Sequence, residues 1–266
     1  MGLGPVEARV MRGLADTRST ASVGPMVSVL GGFSLTAQGV GVVRLPSSAQ
    51  RVLGYLALTG VGQRREILAG RLWSTATQDR AHANLRTAVW KVRQLLPEVI
   101  DCHRDSVGLQ PGVSVDYIGM TRLARRLLHR DLSGEELLDV PFELLAADLL
   151  PGWDEDWLLI DRERHRQLRM HALEALSNQL TDAGEFALAI QSAYAAIVIE
   201  PLGESATHAL IRACLAQGNR TEALRQFGLF QHLLADETGL RPSEELQELI
   251  GPVRRSGRRR GAAGPG

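Results

Sequence analysis

The sequence predicts an α+β N-terminal winged helix-turn-helix domain followed by an all-α, tetratricopeptide-like helical domain. Three observations lead to this fold class. A basic amphipathic helix over residues 79–97 follows a shorter helix after a turn of four residues. Short segments with the alternation typical of β strands lie on both sides of these helices. In the second half, similar residues recur at a spacing of 34 residues, which is the tetratricopeptide period.

The first elements are expected to be two strands and a helix. Residues 27–35 and 40–45 alternate apolar and small side chains around a glycine-rich turn, which predicts a hairpin or a small sheet. Residues 49–59 then predict a helix with one apolar face, formed by Val52, Leu53, Leu56 and Ala57.

Residues 64–73 predict a second, short helix, which ends at a polar turn over residues 74–77. Asp79 is the expected N-cap of the third helix, because its carboxylate can accept hydrogen bonds from free backbone N–H groups. A short helix, a turn and a longer basic helix are typical of a helix-turn-helix, in which the second helix enters the DNA groove.

The third helix, over residues 79–97, has two chemically different faces. Its apolar residues recur at three- and four-residue steps, so this face can dock on a core; they are Ala81, Leu85, Ala88, Val89, Val92, Leu95 and Leu96. Taken alone, a basic face is more often simply solvated, but the preceding helix and turn favour recognition of phosphates and base edges. The candidate DNA-binding residues on this helix are Arg80, Asn84, Arg86, Thr87, Trp90, Lys91 and Arg93.

Residues 99–115 predict a second hairpin, with candidate turns at residues 105–108 and 110–112. Arg104 lies where the wing of a winged helix can contact a phosphate or the minor groove, and it completes the set of candidate DNA-binding residues. Sheet, three helices and wing together predict a DNA-binding domain over residues 26–116.

The overall charge of zero hides an asymmetry between the two halves. Residues 1–116 carry 13 basic and 8 acidic side chains, whereas residues 117–250 carry 12 basic and 22 acidic ones. A basic first domain suits DNA, and the acidic second domain is expected to face protein or solvent. Acidic surfaces also keep proteins soluble, so the charge alone does not decide between these roles.

The second domain, predicted over residues 117–250, contains an internal repeat. At a spacing of 34 residues, Gly184 corresponds to Gly218 and Ala189 to Ala223. In each copy a first helix is expected to end at the glycine and a second helix to follow. Two copies are too few to bury a continuous core, so further helices are expected at residues 117–130, 137–150, 157–182 and 243–250.

Residues 149–157, LLPGWDEDW, combine three carboxylates with two tryptophans. Such a group could serve acid catalysis or bind a hard cation. We favour a turn that Trp153 and Trp157 anchor to the core, with the acidic residues in the first turn of the next helix. Cys102 and His103 are too few for a metal site, and the two cysteines of the chain form no disulfide framework. No cofactor, no metal and no enzymatic activity are therefore expected.

The chain resembles the antibiotic regulatory protein (SARP) family of actinomycete transcriptional activators. The resemblance covers residues 27–251 and is carried by short motifs, namely VLGGF at 29–33, LAGRLW at 68–73, LRTAVWKVR at 85–93, PGW at 151–153 and LRPS at 240–243. It implies an OmpR-type winged helix joined to a bacterial transcriptional activation domain. The family's groove-reading and phosphate-contacting positions map to Arg86, Thr87, Trp90, Lys91 and Arg93, with Trp90 departing from the common small or polar residue.

The resemblance also implies partners. They are double-stranded DNA with direct repeats near promoters, the RNA polymerase holoenzyme, and a second copy of the chain on DNA. The expected role is activation of a specialised-metabolite gene cluster. The alternative is a tetratricopeptide-like adaptor or ligand sensor that acts as a repressor. No Walker A loop accompanies Lys91, the sole lysine, so regulation by ATP is not expected.

The two ends of the chain are expected to be tails. Residues 1–25 lack apolar periodicity, and Met26 is an alternative start; residues 251–266 are rich in glycine and arginine. Disorder is predicted for both. Because no apolar run approaches the ~18–20 residues that cross a bilayer, and no signal peptide is recognised, no membrane contact and a cytoplasmic location are expected.

Overall fold

A computed structural model describes residues 24–251, so the two predicted tails lie almost entirely outside the described residues. These residues divide into two compact units. The first unit comprises residues 24–123 and 147–165, and the second comprises residues 124–146 and 166–251. The first unit is a small α/β structure and the second is helical, as the predicted fold class requires.

The strands of the first unit form two small sheets. The four-stranded sheet has the order β3-β2-β1-β7 and contains β1 (Met26–Ser28), β2 (Ser34–Ala37), β3 (Gly41–Val42) and β7 (Ser114–Val115). Its neighbours are antiparallel except β1 and β7, which are parallel. The antiparallel three-stranded sheet has the order β4-β6-β5, with β4 (Gln63–Arg64), β5 (Ile100–Cys102) and β6 (Ser106–Leu109).

Three helices pack together in this unit: α1 (Ser47–Thr59), α2 (Arg65–Leu72) and α3 (Gln78–Leu95). Their core includes Leu53, Leu56, Leu68, Leu72 and Leu85, all almost inaccessible to solvent. The apolar periodicity of the sequence therefore predicted the buried faces, because a 3.6-residue repeat is what places these side chains on one side of each helix.

Three local expectations around α3 and the second hairpin were wrong. Helix α3 begins at Gln78 with Thr77 in the N-cap position, so Asp79 is not the cap and lies in the first turn, where the helix dipole still favours its carboxylate. Leu95 is 50% exposed, because it ends the helix on the edge of the apolar face. The β5–β6 turn lies at residues 103–105 instead of 105–108, because Ser106 and Val107 pair with β4.

Residues 147–165, which we call the strap, belong to the first unit. They begin about thirty residues after residue 116, the predicted end of that domain. The backbone N–H of Leu150 donates to the carbonyl of Val29 at 2.8 Å, and that of Gly31 donates to Asp148 at 2.8 Å. Leu149 forms an antiparallel bridge with Leu30. The strap thus pairs in antiparallel fashion with residues 29–31, which directly follow β1.

The remaining elements are helices. They are α4 (Asp116–Leu128), α5 (Gly134–Leu138), α6 (Phe142–Leu145), a 3-10 turn (Asp156–Leu158), α7 (Leu159–Asp182), α8 (Phe186–Ile199), α9 (Glu204–Ala216), α10 (Arg220–Thr238) and α11 (244–251). The single segment predicted over residues 137–150 was wrong, because this stretch forms α5, α6 and part of the strap. Ser133 and Glu136 form a capping box at the start of α5, which explains its early beginning.

The 34-residue spacing is visible in the second unit. Gly184 follows α7 with φ +83° and Gly218 follows α9 with φ +86°, a left-handed conformation that glycine adopts without strain. Phe227 of α10 is fully buried in the core of this unit. The assignment of these helix pairs to the tetratricopeptide class stays a prediction.

Within residues 24–251, no helix is both long and apolar enough to cross a membrane. In the same range, no cluster of three or more His, Cys, Asp or Glu side chains is placed to hold a metal ion. Cys102 and Cys214 are free thiols.

Candidate nucleic-acid interface

The outward face of α3 divides into a central strip and two flanks. Successive residues are rotated by about 100° around a helix axis. The side opposite the buried residues of α3 then carries Ala83, Thr87, Trp90 and Gln94, which we call the central strip. None of these four side chains is charged.

Basic side chains lie on both sides of the central strip. Arg80 and Lys91 form one flank, and Arg86 and Arg93 form the other; we call these four residues the cationic flanks. The sole carboxylate in the sequence of α3 is Asp79 in its first turn, and the same rotation places it between the central strip and the flank of Arg86 and Arg93. A cationic surface of this kind attracts a polyanion.

The predicted site residues of α3 share one surface of the helix. Arg80, Arg86, Thr87, Trp90 and Arg93 are exposed, while Asn84 and Lys91 are half-buried. The structure therefore brings these seven residues together in the way that the periodicity predicted. Their contact with DNA stays a prediction.

Two side chains of this surface are held by neighbours on the same helix. The ammonium Nζ of Lys91 lies 4.8 Å from the centroid of the Trp90 ring, within the range of a cation–π contact. The hydroxyl of Thr87 donates to the carbonyl oxygen of Ala83 at 3.0 Å. Both contacts reduce the freedom of side chains that would otherwise sample several rotamers.

Arg104 lies on a separate element, the exposed turn of the β5–β6 hairpin. This turn is anchored to the start of α2. The backbone N–H of Arg65 donates to the carbonyl of Asp105 at 2.9 Å, and its Nε donates to the carbonyl of His103 at 3.3 Å. The hairpin that carries Arg104 is thereby held against the start of α2.

Arg51 is a residue of this unit whose role the sequence did not indicate. Its guanidinium pairs with Glu155 of the strap at 2.6 Å, and one of its nitrogens donates to the carbonyl of Leu72 at 2.6 Å. It also lies 5.7 Å from the ring centroid of Trp73. Because Leu72 ends α2, this half-buried arginine caps the helix immediately before the turn that leads into α3.

The acidic residues of the strap differ from the prediction. Glu155 precedes the 3-10 turn and pairs with Arg51, so it is not a member of a helical first turn. The indole N–H of Trp157 donates to Glu155 at 2.9 Å. Trp153 packs on α1 at Gly54, and its ring centroid is 5.9 Å from that of Phe33. The expectation that the two tryptophans anchor this segment is confirmed.

Asp116 is a second residue whose role the sequence did not indicate, and its carboxylate is buried. It accepts hydrogen bonds from the backbone N–H groups of Val29, Leu30 and Tyr117 at 2.7 to 3.1 Å. Burial raises the pKa of Asp116 above its usual value of 3.8, and these N–H donors oppose the rise. The carboxylate joins the end of β1 to the start of α4.

The second half of the chain matches a known family. Residues 122–254 match the family described as the bacterial transcriptional activator domain. The chain is also 28% identical, over 191 residues, to the regulatory protein AfsR of Streptomyces coelicolor; the aligned region is 68% of this chain and 19% of AfsR. The chain therefore spans about a fifth of the length of that relative.

A solved structure has the same fold. It is described as Mycobacterium tuberculosis EmbR in complex with low affinity phosphopeptide, and it is 18% identical to this chain with a TM-score of 0.68. The similarity covers 87% of this chain and 65% of the EmbR chain. At this identity the likeness concerns the fold alone: a small α/β region followed by a helical one.

Proposed function

Because the chain belongs to the SARP family, the bacterial transcriptional regulators that carry this activator domain, we propose that it is a sequence-specific DNA-binding transcriptional activator. The observation that carries the proposal is the outward face of α3, with an uncharged central strip between two cationic flanks. An α-helix fits the major groove of B-DNA, where Lys91 and Arg93 meet phosphates, while Arg86 and the central strip meet base edges.

The first unit acts in this proposal as an OmpR-type winged helix. Helix α3 enters the major groove and α2 crosses the backbone. The β5–β6 hairpin is the wing, and Arg104 on its turn contacts a phosphate or the minor groove. The anchoring of that turn to Arg65 supports this role, because it holds the wing against the helices that bind the groove.

The wider role rests on the family. We propose that the operator consists of direct repeats near the promoters of a specialised-metabolite gene cluster. Two copies of the chain bind these repeats and contact the RNA polymerase holoenzyme. The acidic half of the chain, with 22 acidic against 12 basic residues over 117–250, supports contacts with protein instead of DNA. Two copies held on adjacent repeats raise each other's occupancy through effective concentration.

Quantitative gel shifts with genomic promoter fragments test the proposal. The parent is expected to bind a subset of fragments 10³-fold or more tightly than random duplex of the same length, the order of magnitude typical of specific binding. Arg86→Ala is expected to reduce that ratio. Arg164→Ala is the matched control, because it removes the same charge from an exposed position of α7. Equal affinity for all fragments would contradict the proposal.

A protein-binding adaptor is the second candidate function. Helix α8 contains no charged residue, and Val198 near its end is 79% exposed. An apolar helix face of this kind is typical of a surface that another protein covers. An adaptor that uses its first unit only for protein contacts would show no preference among the promoter fragments, so the same experiment separates the two functions.

A further inference from the structure

Three of the four side chains of the central strip present mainly carbon to their surroundings, and the fourth, Gln94 near the end of α3, is an amide. Ala83 offers a methyl group, and Trp90, although large and apolar, is 51% exposed. Thr87 contributes a second methyl group, because its hydroxyl hydrogen is already donated to the carbonyl of Ala83. The middle of the face is thus apolar, although the helix as a whole is basic.

The ammonium of Lys91 lies 4.8 Å from the ring centroid of Trp90. A cation over one face of an exposed ring is attracted to it weakly, so the contact is compatible with the outward position of the indole. No hydrogen-bond acceptor for the indole N–H occurs among residues 24–251. A large exposed ring whose N–H has no hydrogen-bond partner among the described residues is suited to contact a ligand.

In the major groove, the one apolar group on a base edge is the C5-methyl of thymine. Guanine, cytosine and adenine offer only hydrogen-bond donors and acceptors there, and Gln94 is the one side chain of the strip whose donors and acceptor suit them. Lys91 on one flank and Arg93 on the other meet the backbones, which leaves the strip directed at the bases between them.

We propose that Trp90 and Thr87 are specificity-determining residues that recognise thymine through its C5-methyl group. The inference rests on the proposed function and adds the kind of base that the centre of α3 selects. Trp90 covers one thymine methyl, and the γ-methyl of Thr87, one helical turn earlier, covers a second. Operators of this protein contain thymine at the positions that face the middle of α3.

The test begins with selection of binding sites from a random duplex library by the full chain. Each thymine of the selected operator is then replaced by deoxyuridine, which removes the methyl group and leaves base pairing unchanged. Loss of one buried methyl contact is expected to lower affinity about three- to fivefold at the thymine that faces Trp90. In Trp90→Ala, the same replacement is expected to have no further effect.

Thr87 is tested by a matched pair of variants. Thr87→Val keeps a methyl group at the γ position and removes the hydroxyl, so it is expected to bind within twofold of the parent. Thr87→Ser keeps the hydroxyl and removes the methyl, so it is expected to bind more weakly and to lose sensitivity to deoxyuridine at one position. Leu95→Ala is the control for an exposed apolar side chain of α3 outside the strip.

The outcomes separate this inference from the proposed function. If the library yields no preferred sequence, the proposed function fails and the inference fails with it. If a sequence is selected but no deoxyuridine replacement changes affinity, the function stands and thymine recognition is wrong. The inference is also wrong if Trp90→Ala weakens binding while the effect of deoxyuridine persists in full, since Trp90 would then act elsewhere.

Discussion

Replacing Gly54, in the middle of α1, by alanine is expected to lower or to raise the free energy of unfolding, depending on the side chain at position 153. Alanine is more favourable than glycine in a helix interior by about 1 kcal/mol. A Cβ at Gly54, however, would lie 3.2 Å from Cη2 and Cζ3 of the Trp153 indole and 3.5 Å from Leu150 Cδ1. Carbon atoms prefer a separation of roughly 3.5–4.0 Å, so the indole would have to move.

The indole has little room for that movement. Its ring centroid is 5.9 Å from Phe33 and 6.5 Å from Trp157. Overpacking of this kind costs about 1–3 kcal/mol. In the parent background, Gly54→Ala is therefore expected to lower the free energy of unfolding of the first unit by about 0–2 kcal/mol. In the Trp153→Ala background the obstacle is gone, and the same substitution is expected to raise it by about 1 kcal/mol.

Urea unfolding followed by tryptophan fluorescence measures this directly. All four tryptophans of the chain, Trp73, Trp90, Trp153 and Trp157, lie in the first unit, so their emission reports that unit without interference from the other. The double-mutant cycle is expected to give a coupling of about 1–3 kcal/mol. An additive result, with Gly54→Ala stabilising both backgrounds by the same amount, would show that the strap does not press on α1.

Four further predictions concern the DNA surface and the limits of the first unit. Lys91→Ala and Arg93→Ala are each expected to weaken binding evenly across sequences and to reduce the salt slope by about one unit; an unchanged anisotropy titration across a salt series would remove that residue from the interface. Arg86→Ala is expected to cost about 1–3 kcal/mol and to relax specificity at one base pair, whereas an equal loss on all duplexes would assign it to the backbone. Burial raises the pKa of Asp116 in the folded state, so protonation of this group favours folding as the pH falls through that pKa. The difference in free energy of unfolding between the parent and Asp116→Asn is therefore expected to grow in favour of the parent between pH 7 and pH 4. If urea titrations show this difference shrinking, the N–H donors outweigh the effect of burial. A fragment of residues 26–116, the predicted limits of the DNA-binding domain, lacks the strap. Its free energy of unfolding is expected to be several kcal/mol lower than that of the first unit of the full chain, since each buried leucine of the strap contributes about 1.5–3 kcal/mol. Equal urea midpoints would restore the predicted limit.

The parts of α3 that the sequence predicted correctly depend on local periodicity. Leu85 and Val92 are buried and Arg86 and Arg93 are exposed, because a 3.6-residue repeat assigns each position to a face without knowledge of the rest of the fold. The same argument failed for Leu95, since periodicity does not say where a helix stops packing. Asp79 was misplaced for a related reason: helix ends vary by one or two residues.

Contacts between distant residues could not be predicted in this way. Arg51 and Glu155 are 104 positions apart, and Asp116 and Val29 are 87 apart. Neither carboxylate belongs to a motif, and an acidic residue near a predicted helix start is usually explained by the helix dipole alone. A single sequence carries no record of which charges meet across the fold, so both contacts emerged only from the structure.

The limits of the two compact units differ from the limits of the two domains predicted from the sequence. The family match begins at residue 122 and includes the strap, yet the strap packs with the strands and helices that precede it. Its Glu155 holds Arg51, which in turn bonds to the last carbonyl of α2. A carbonyl fixed at that point restricts the turn over residues 73–77 and so the entry angle of α3. A segment that belongs by sequence to the activator domain thus packs in the same compact unit as the helix proposed to read DNA. The domain boundary defined by family similarity is therefore not the boundary at which the first unit becomes complete.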